Sequence, residues 1–328
     1  MSPGRTNSGS GGPAAEGERR SWSELPSSLR DALERHLGSR VRLAISEPGG
    51  FSPGVASRLE LTDGRRIFAK VVGREANPDS PDTHRAEARI LSQLPPNVPA
   101  PRLLSTYDDG DWVALFLEEV NGHTPRTPWD PTELGRVVRA IEELTRLLTP
   151  APFHVGTFGE RYRREFDNWR TLEQARGDQA EDLADLDPWI RDHLGELVDL
   201  ERGLEAASDG DTLLHCDLRA DNILLTKDKV YFADWPAAST GAGWIDLLGF
   251  LPSVAMQGGP KPWIIFDKSV LTRGVAPEDV NCVLAGLTGY FLGNARKPAP
   301  SGLSTLRPFQ RAQGLESLAW LRYRLSSQ

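Results

Sequence analysis

Between Leu213 and Leu225 the chain reads "LLHCDLRADNILL", five polar groups (His215, Asp217, Arg219, Asp221 and Asn222) crowded between two Leu-rich runs. A surface turn needs one or two such residues and no apolar flank on both sides. Charge held against a core is costly unless it is paired or hydrogen-bonded, so the stretch describes a polar loop pinned between two buried strands. A second short strand, "KVYFAD", follows "NILLT" across a turn at Lys227 and Asp228. Asp217 and Asn222 are five residues apart, and Asp234 closes the second strand twelve residues after Asn222. A hairpin here returns Asp234 to the side of the loop, so two carboxylates and an amide face one point.

Hard oxygen ligands in that number suit Mg2+, which takes one or two carboxylates and leaves its other positions to water and phosphate. A capped turn with acidic decoration is the plainer reading, but the spacing is that of a phosphoryl-transfer catalytic loop. In this pattern His215 reads as a hydrogen-bonder supporting the loop and Cys216 as a packed thiol. Asp246, at the apolar helix start "WIDLLGFL", reads as a tie for the loop backbone.

At 328 residues the chain is long enough for two lobes with a real core. Its net charge of −8 argues against a broad nucleic-acid footprint. Cys216 and Cys282 stand far apart without CxxC spacing, and the six histidines form no HxxxH pair. That argues against a disulfide framework and a zinc site and fits a reducing compartment. No apolar run reaches the length of a membrane span. Residues 1–20, rich in Gly, Ser and Pro, lack the apolar middle of a signal peptide and are expected to form a disordered tail on a cytoplasmic protein.

Leu25, Leu29, Leu33 and Leu37 recur at i+4 intervals before Gly38, the pattern of an amphipathic helix with a stop. Strand-like runs follow at "VRLAIS", "SRLEL", "RRIFAKVV" and "WVALFLEEV", interrupted by one helix, "THRAEARILSQL". From Thr132 onward the patterns are long and helical, among them "DPWIRDHLGELVDLERGL" and "VNCVLAGLTGYFLG", whose glycines read as places of close helix packing. The fold class is therefore α+β. A small, mostly antiparallel sheet lobe is expected over residues 21–120, a crease near "EEVNG", and a larger helical lobe over residues 121–328.

In the sheet lobe "EPGGFSPG" gathers Gly49, Gly50 and Gly54 around Phe51 and Ser52. Glycines let backbone N–H groups approach phosphate oxygens, and the Ser52 hydroxyl can replace the donor that Pro53 removes. No GK(S/T) follows, so this is not a Walker loop, and a plain hairpin would look the same. Lys70 ends the strand "RRIFAK", and Glu87 shares a helix face with Ile90, Leu91 and Leu94. A carboxylate on an apolar face needs a partner, and Lys70 is the available cation. Such a pair aims an ammonium at the α and β phosphates of a nucleotide; two unrelated surface charges are the alternative.

These residues, with "VPAPRLL" and "LLHCDLRADNILL" as the most telling text, resemble the aminoglycoside phosphotransferase family, relatives of choline kinase with the protein-kinase-like fold. The likeness runs from about Val41 to the C-terminus. It implies a bilobal kinase that uses ATP or GTP with Mg2+ to phosphorylate a hydroxyl on a small molecule. It favours as acceptor an antibiotic or related natural product, with resistance by inactivation as the role. Carried onto this chain, the resemblance makes Asp217 the base at the acceptor hydroxyl, and Asn222 and Asp234 the holders of Mg2+. Lys70 with Glu87 would position the nucleotide, and Glu118 to Val120 would form the linker whose backbone reads the purine. Cys216 stands where many members have Gly, and "DWP" replaces the "DFG" of protein kinases.

Arg219, two residues after Asp217, leaves an extended loop on the same side, from where a guanidinium can reach a γ-phosphate. Bracing the loop through Asp221 or Glu87 is the competing reading. For the acceptor, Glu160, Glu165, Asp167 and Asp221 offer carboxylates that favour a cationic, amine-bearing compound. Arg161, Arg163 and Arg164 are interleaved with them, so a neutral or anionic acceptor stays open. A kinase of a primary metabolite, an amino alcohol or a sugar, is one rival; a catalytically dead nucleotide-binding module is the other. Intact Lys70, Asp217, Asn222 and Asp234 argue against the latter. No nucleic-acid or membrane partner is expected, and the oligomeric state is open.

Overall fold

The computed structural model describes residues 13, 15, 17, 19–51, 54–75, 78–163, 165–177 and 183–326. Helix α1 (Ser27–Leu37) buries Leu29, Leu33 and Leu37 and stops at Gly38, whose φ of +69° is the left-handed conformation that glycine adopts freely. The strands β1 (Val41–Ser46), β2 (Val55–Leu61), β3 (Arg66–Gly73), β4 (Leu103–Asp108) and β5 (Trp112–Glu118) form one antiparallel sheet in the order β1-β2-β3-β5-β4. Helix α2 (Ser80–Leu91) is inserted between β3 and β4. Side chains alternate across a sheet, and that decides what each face meets. Leu59, Leu61, Ile67, Ala69, Val71 and Phe116 pack against α1 and Trp22. Val72, Leu115 and Leu117 join Ile90 and Leu91 of α2 on the other side. Lys70, between Ala69 and Val71, therefore emerges toward α2.

The strand β4 is absent from the sequence reading. It lies at the sheet edge, alternates half-buried and exposed positions, and carries Ser105, Thr106 and Asp108 in place of a continuous apolar run.

Beyond the sheet the chain is mostly helical, giving the α+β layout expected from the sequence. Helix α3 (Pro131–Leu147) starts at Asp130, whose side chain accepts from the N–H groups of Thr132 and Glu133. Next come α4 (Phe158–Tyr162), α5 (Asn168–Gly177), α6 (Pro188–Asp192), α7 (Leu194–Arg202) and α8 (Leu204–Ala207). The stretch from Asp187 to Leu204, expected as one helix, is thus three. The first break is at His193, whose ring stacks on Trp189 with centroids 4.2 Å apart and whose Nδ1 lies 2.8 Å from the Trp189 carbonyl oxygen. The second is at Gly203, where a Cβ would meet Cys282 Sγ at 2.7 Å.

Two small antiparallel strand pairs hold the polar loop. Strand β6 (Thr212–Leu214) pairs with β9 (Ser239–Gly241), and β7 (Ile223–Leu225) pairs with β8 (Val230–Phe232) in the register Ile223↔Phe232, Leu225↔Val230. Helices α9 (Ile245–Met256), α10 (Pro262–Phe266), α11 (Pro277–Ala295) and α12 (Leu306–Ser326) complete the fold. The glycines of α11 do serve close packing: a Cβ at Gly286 would meet Phe166 at 2.8 Å, and one at Gly289 would meet Trp169 Nε1 at 2.8 Å. Gly289→Val is accordingly expected to cost about 1–3 kcal/mol of stability, as overpacked cores do, read as a lower midpoint in denaturant unfolding. Among the described residues, no helix is long and apolar enough to cross a membrane.

Candidate active site

Hydrogen bonds to Asp246 and from the His215 ring, with two left-handed residues, shape the loop after β6. Asp246, in the first turn of α9, accepts the N–H groups of His215 and Cys216, each at 2.8 Å. Cys216 has a φ of +65°, a conformation that costs a side chain about 1–2 kcal/mol and glycine nothing. That explains the glycine preference at this place and why a tie to Asp246 is needed. Burial lifts the Asp246 carboxyl to about 6, against the two N–H groups that hold it charged. Asp246→Ala would leave both donors unsatisfied in the core. The expected loss is about 2–5 kcal/mol, measurable by denaturant unfolding.

His215 is wholly buried, and burial drops its imidazole to about 4, so it is neutral. Its Nε2 donates to the Ala233 carbonyl at 2.9 Å, and its Nδ1 accepts the Asp217 N–H at 3.2 Å. One ring thereby ties the loop to the strand end that carries Asp234. The supporting role read from the sequence is the one its bonds describe.

The Asp217 carboxylate is held by Arg219 Nη1 on one oxygen and by Asn222 Nδ2, 3.2 Å away, on the other. Burial in the cleft lifts its pKa to about 7, with Arg219 opposing and Asp234 and Asp221 adding to the rise. Asn222 Nδ2 also donates to the Asp217 carbonyl at 2.8 Å, and the Asn222 carbonyl accepts from the Ala233 N–H at 2.8 Å. The next residue, Asp234, therefore lies beside Asn222, with a φ of +69° that turns it back into the cleft.

Lys70 completes the group. Its Nζ lies 2.7 and 2.8 Å from the two Glu87 oxygens and 2.9 Å from Asp234 Oδ1. Burial alone would lower the ammonium pKa, but Asp234 and Glu87 outweigh it and hold it above the ordinary value. Burial would likewise raise Asp234, and Lys70 outweighs that and holds the carboxylate below its usual range. Arg219, besides meeting Asp217, grips both Asp221 oxygens at 3.1 and 3.0 Å. This is the bracing geometry, and the guanidinium also lies beside the rings of Phe51 and Phe309, at 5.5 and 5.8 Å from their centroids.

Two cavities meet at these residues. One, of about 700 Å3, runs between the sheet and the loop and is lined by Lys70, Asp221, Asn222 and Asp234 at one end. Ala56, Phe68, Leu117, Val120 and Leu224 form an apolar slot at the other, with Glu118 at its edge. The second, of about 460 Å3, lies on the other side of Asp217 against α4, α11 and α12. Phe51, His84 and Asp234 border both.

The Mg2+ expected from the sequence fits the donor set. The Asn222 amide spends its N–H groups on Asp217, which leaves its oxygen as donor, and Asp234 supplies one carboxylate beside it, the small number Mg2+ takes. His84 adds a second observation. Its Nδ1 bonds to the Ser80 carbonyl at 3.1 Å, which makes Nε2 an acceptor, and this buried Nε2 has no partner among the described residues. A metal-bound water is the kind of donor such an atom accepts from.

The model of the phosphotransferase enzyme family, APH, matches residues 49–271. The chain belongs to that family. A thermostable mutant of aminoglycoside phosphotransferase APH(4)-Ia, solved in ternary complex with ADP and hygromycin B, has a similar fold: the TM-score is 0.60 at 13% identity, covering 90% of this chain and 98% of that one. Choline kinase LicA from Streptococcus pneumoniae gives a TM-score of 0.59 at 14% identity, covering 90% of this chain and all (100%) of the other. A choline/ethanolamine kinase family protein from Mesorhizobium loti gives 0.56 at 15%, covering 90% and 98%. At such identities the likeness is one of fold, the kinase-like fold expected from the sequence. No curated protein matches the sequence.

In this phosphotransferase the expected site residues do not all gather at one place. Lys70, Glu87, Asp217, Arg219, Asp221, Asn222 and Asp234 come together, and Gly49, Gly50, Glu118 and Val120 line the larger cavity. Ser52 lies outside the described residues. Gly50 spends its N–H on the Ala15 carbonyl at 2.8 Å, and Gly49 gives its carbonyl to Arg19 Nε at 3.0 Å. The end of the segment expected as a disordered tail therefore touches the glycine loop, and Arg19 joins the lining of the larger cavity. Glu160 and Asp167 are not among the residues lining either cavity. Glu160 folds back on the Thr157 N–H at 3.2 Å, and Asp167 pairs with Arg170 at 2.5 Å.

Sequence reasoning passed over Arg19, His84 and the cavity aromatics Tyr290, Phe291 and Phe309 of α11 and α12. His84 carried a signal, since it precedes Glu87 by three residues on the same buried helix face. Arg19, in a Gly- and Ser-rich stretch, carried none.

Proposed function

We propose that this phosphotransferase moves the γ-phosphoryl group of ATP or GTP onto a hydroxyl of a small molecule, an antibiotic or related natural product, and that inactivation of that compound is its role. The observation that carries the reading is Lys70 bridging Glu87 and Asp234 while Asn222 and Asp217 share the adjoining loop.

The larger cavity supplies a nucleotide seat with the purine in the apolar slot, the linker of Glu118 to Val120 along its edge, and the phosphates toward Lys70. Asn222 and Asp234 would hold Mg2+, which when bound offsets the negative charge of the phosphate chain. Asp217, oriented by Arg219 and Asn222, faces the smaller cavity and takes the proton of the acceptor hydroxyl. The hydroxyl oxygen bonds to the γ-phosphorus as the bond from that phosphorus to the bridging oxygen breaks, and the nucleoside diphosphate leaves. Little covalent chemistry falls to the protein; it contributes positioning and fixed charge. Arg219, gripped by two carboxylates, acts as a positioning residue for Asp217.

The test is a screen of antibiotics and primary metabolites for a nucleotide-dependent mass gain of one phosphoryl group, run with ATP and with GTP. Phosphorylation of a natural product is the expected result. Efficient turnover of an amino alcohol or sugar alone would move the assignment to a metabolic kinase.

A further inference from the structure

On the side of α4, α11 and α12 the cavity that Asp217 faces is walled mainly by rings and aliphatic chains, with Arg161, Gln310 and Gln313 among them, while Ser80, Thr83 and His84 border it on the side of α2. Phe158 and Tyr162 have ring centroids 4.6 Å apart, Tyr162 and Phe166 5.0 Å, and Phe166 and Tyr290 of α11 5.4 Å, so one aromatic surface runs from α4 to α11. Leu287 and Leu306 extend it. On the nucleotide side the wall is closed by Phe51, which meets Phe309 of α12 edge to face at 5.2 Å with Arg219 beside both.

Carboxylates in this wall are few and mostly engaged. Asp217 and Asp234 belong to phosphoryl transfer, and Asp246 is spent on two backbone N–H groups. Asp79 stands just before α2. Glu165 is exposed at the rim, close in charge to Arg161 and Lys297. Of the acids of this stretch that would have welcomed ammonium groups, Glu160 and Asp167 are not in the wall, which leaves Glu165. A compound with several ammonium groups loses hydration at each one that enters, and an unpaired buried charge costs several kcal/mol. An apolar body gains about 25 cal/mol for each Å2 removed from water, and an aromatic one gains edge and face contacts besides. A volume of about 460 Å3 suits a ligand of drug size.

We propose that the acceptor is a hydroxyl compound with a compact apolar or aromatic body and at most one positive charge, seated against Tyr162, Phe166, Leu287 and Tyr290 with its hydroxyl at Asp217. This rests on the phosphoryl-transfer reading above and reverses the lean toward an amine-rich acceptor that the acids of the sequence suggested. A single amine on such a compound lies at the rim, near Glu165.

The experiment measures equilibrium binding by calorimetry to the full chain loaded with Mg2+ and a non-hydrolysable ATP analogue. The probes are chloramphenicol and puromycin as aromatic alcohols, and kanamycin and hygromycin B as polycations. At least one aromatic alcohol should bind about tenfold or more tighter than either polycation. Leu287→Glu, which adds a carboxylate to the wall, should weaken that binding about tenfold, and Tyr290→Ala gives the same reading if the first variant folds poorly. Tighter binding of a polycation, or no binding of either aromatic alcohol, overturns the proposal. Phosphoryl transfer to the same probes is followed in parallel with ATP. Aromatic preference in binding without transfer to any bound alcohol counts against the phosphoryl-transfer reading and not against the cavity's selectivity. Transfer with a polycation preferred does the reverse.

Discussion

Asp217→Asn is expected to lower the rate of phosphoryl transfer by about 10²–10⁴-fold, the range typical for loss of a general base, and to leave nucleotide affinity nearly unchanged. The substitution keeps the shape of the side chain and removes its capacity to take a proton. The one remaining side-chain oxygen can keep the Arg219 bond, and Asn222, which loses its side-chain acceptor, still donates to the backbone carbonyl of residue 217. The groups that would contact the nucleotide line the larger cavity, and Asp217 lines the smaller one. Transfer kinetics and nucleotide titration on one preparation check both halves of the expectation. A nucleotide affinity that falls as far as the rate would make Asp217 part of the nucleotide seat.

Asp234→Asn should have the second large effect, and of a different kind. Asp234 is at once the carboxylate beside Asn222, a partner of Lys70 at 2.9 Å, and a border residue of both cavities. Its replacement removes the charged ligand and weakens the hold on the Lys70 ammonium, which keeps Glu87 alone. Nucleotide affinity in Mg2+ should drop about tenfold or more, and the gain in affinity that Mg2+ gives the wild type should largely vanish. Titrations with and without Mg2+ measure this directly. An unchanged Mg2+ dependence would show that the ion is held elsewhere.

What could be read in the sequence was whatever local spacing fixes. The run from His215 to Asp234 closes on itself because two short strands and a turn admit one register, so five residues and twelve residues are distances in space as well as in the chain. Lys70 and Glu87 could be paired because period two sets the face of β3, helical spacing sets the face of α2, and one apolar face cannot hold a lone carboxylate. The acceptor side was legible in part only. Glu160 stands three residues after Thr157, the spacing of a capping box, and its carboxylate turns back to its own helix start. Asp167 answers Arg170 one turn on. Both local bonds could have been weighed against the acids' attraction for a distant ligand. The aromatic wall could not, because it joins α4 to helices more than a hundred residues later, which no spacing rule connects. The left-handed Cys216 was visible only as a departure from glycine; its φ gives that departure a cost, and Asp246 gives it a support.

The most direct measurement is single-turnover release of label from γ-labelled ATP, with and without Mg2+, in the wild type, Asp217→Asn and Asp234→Asn, using an acceptor found by the screen. The label should move to the acceptor in the wild type only when Mg2+ is present. Asp217→Asn should bind the nucleotide and hold the label, and Asp234→Asn should fail to bind it well. Metal-independent transfer, or transfer by Asp217→Asn at the wild-type rate, would contradict the assignment of the two aspartates.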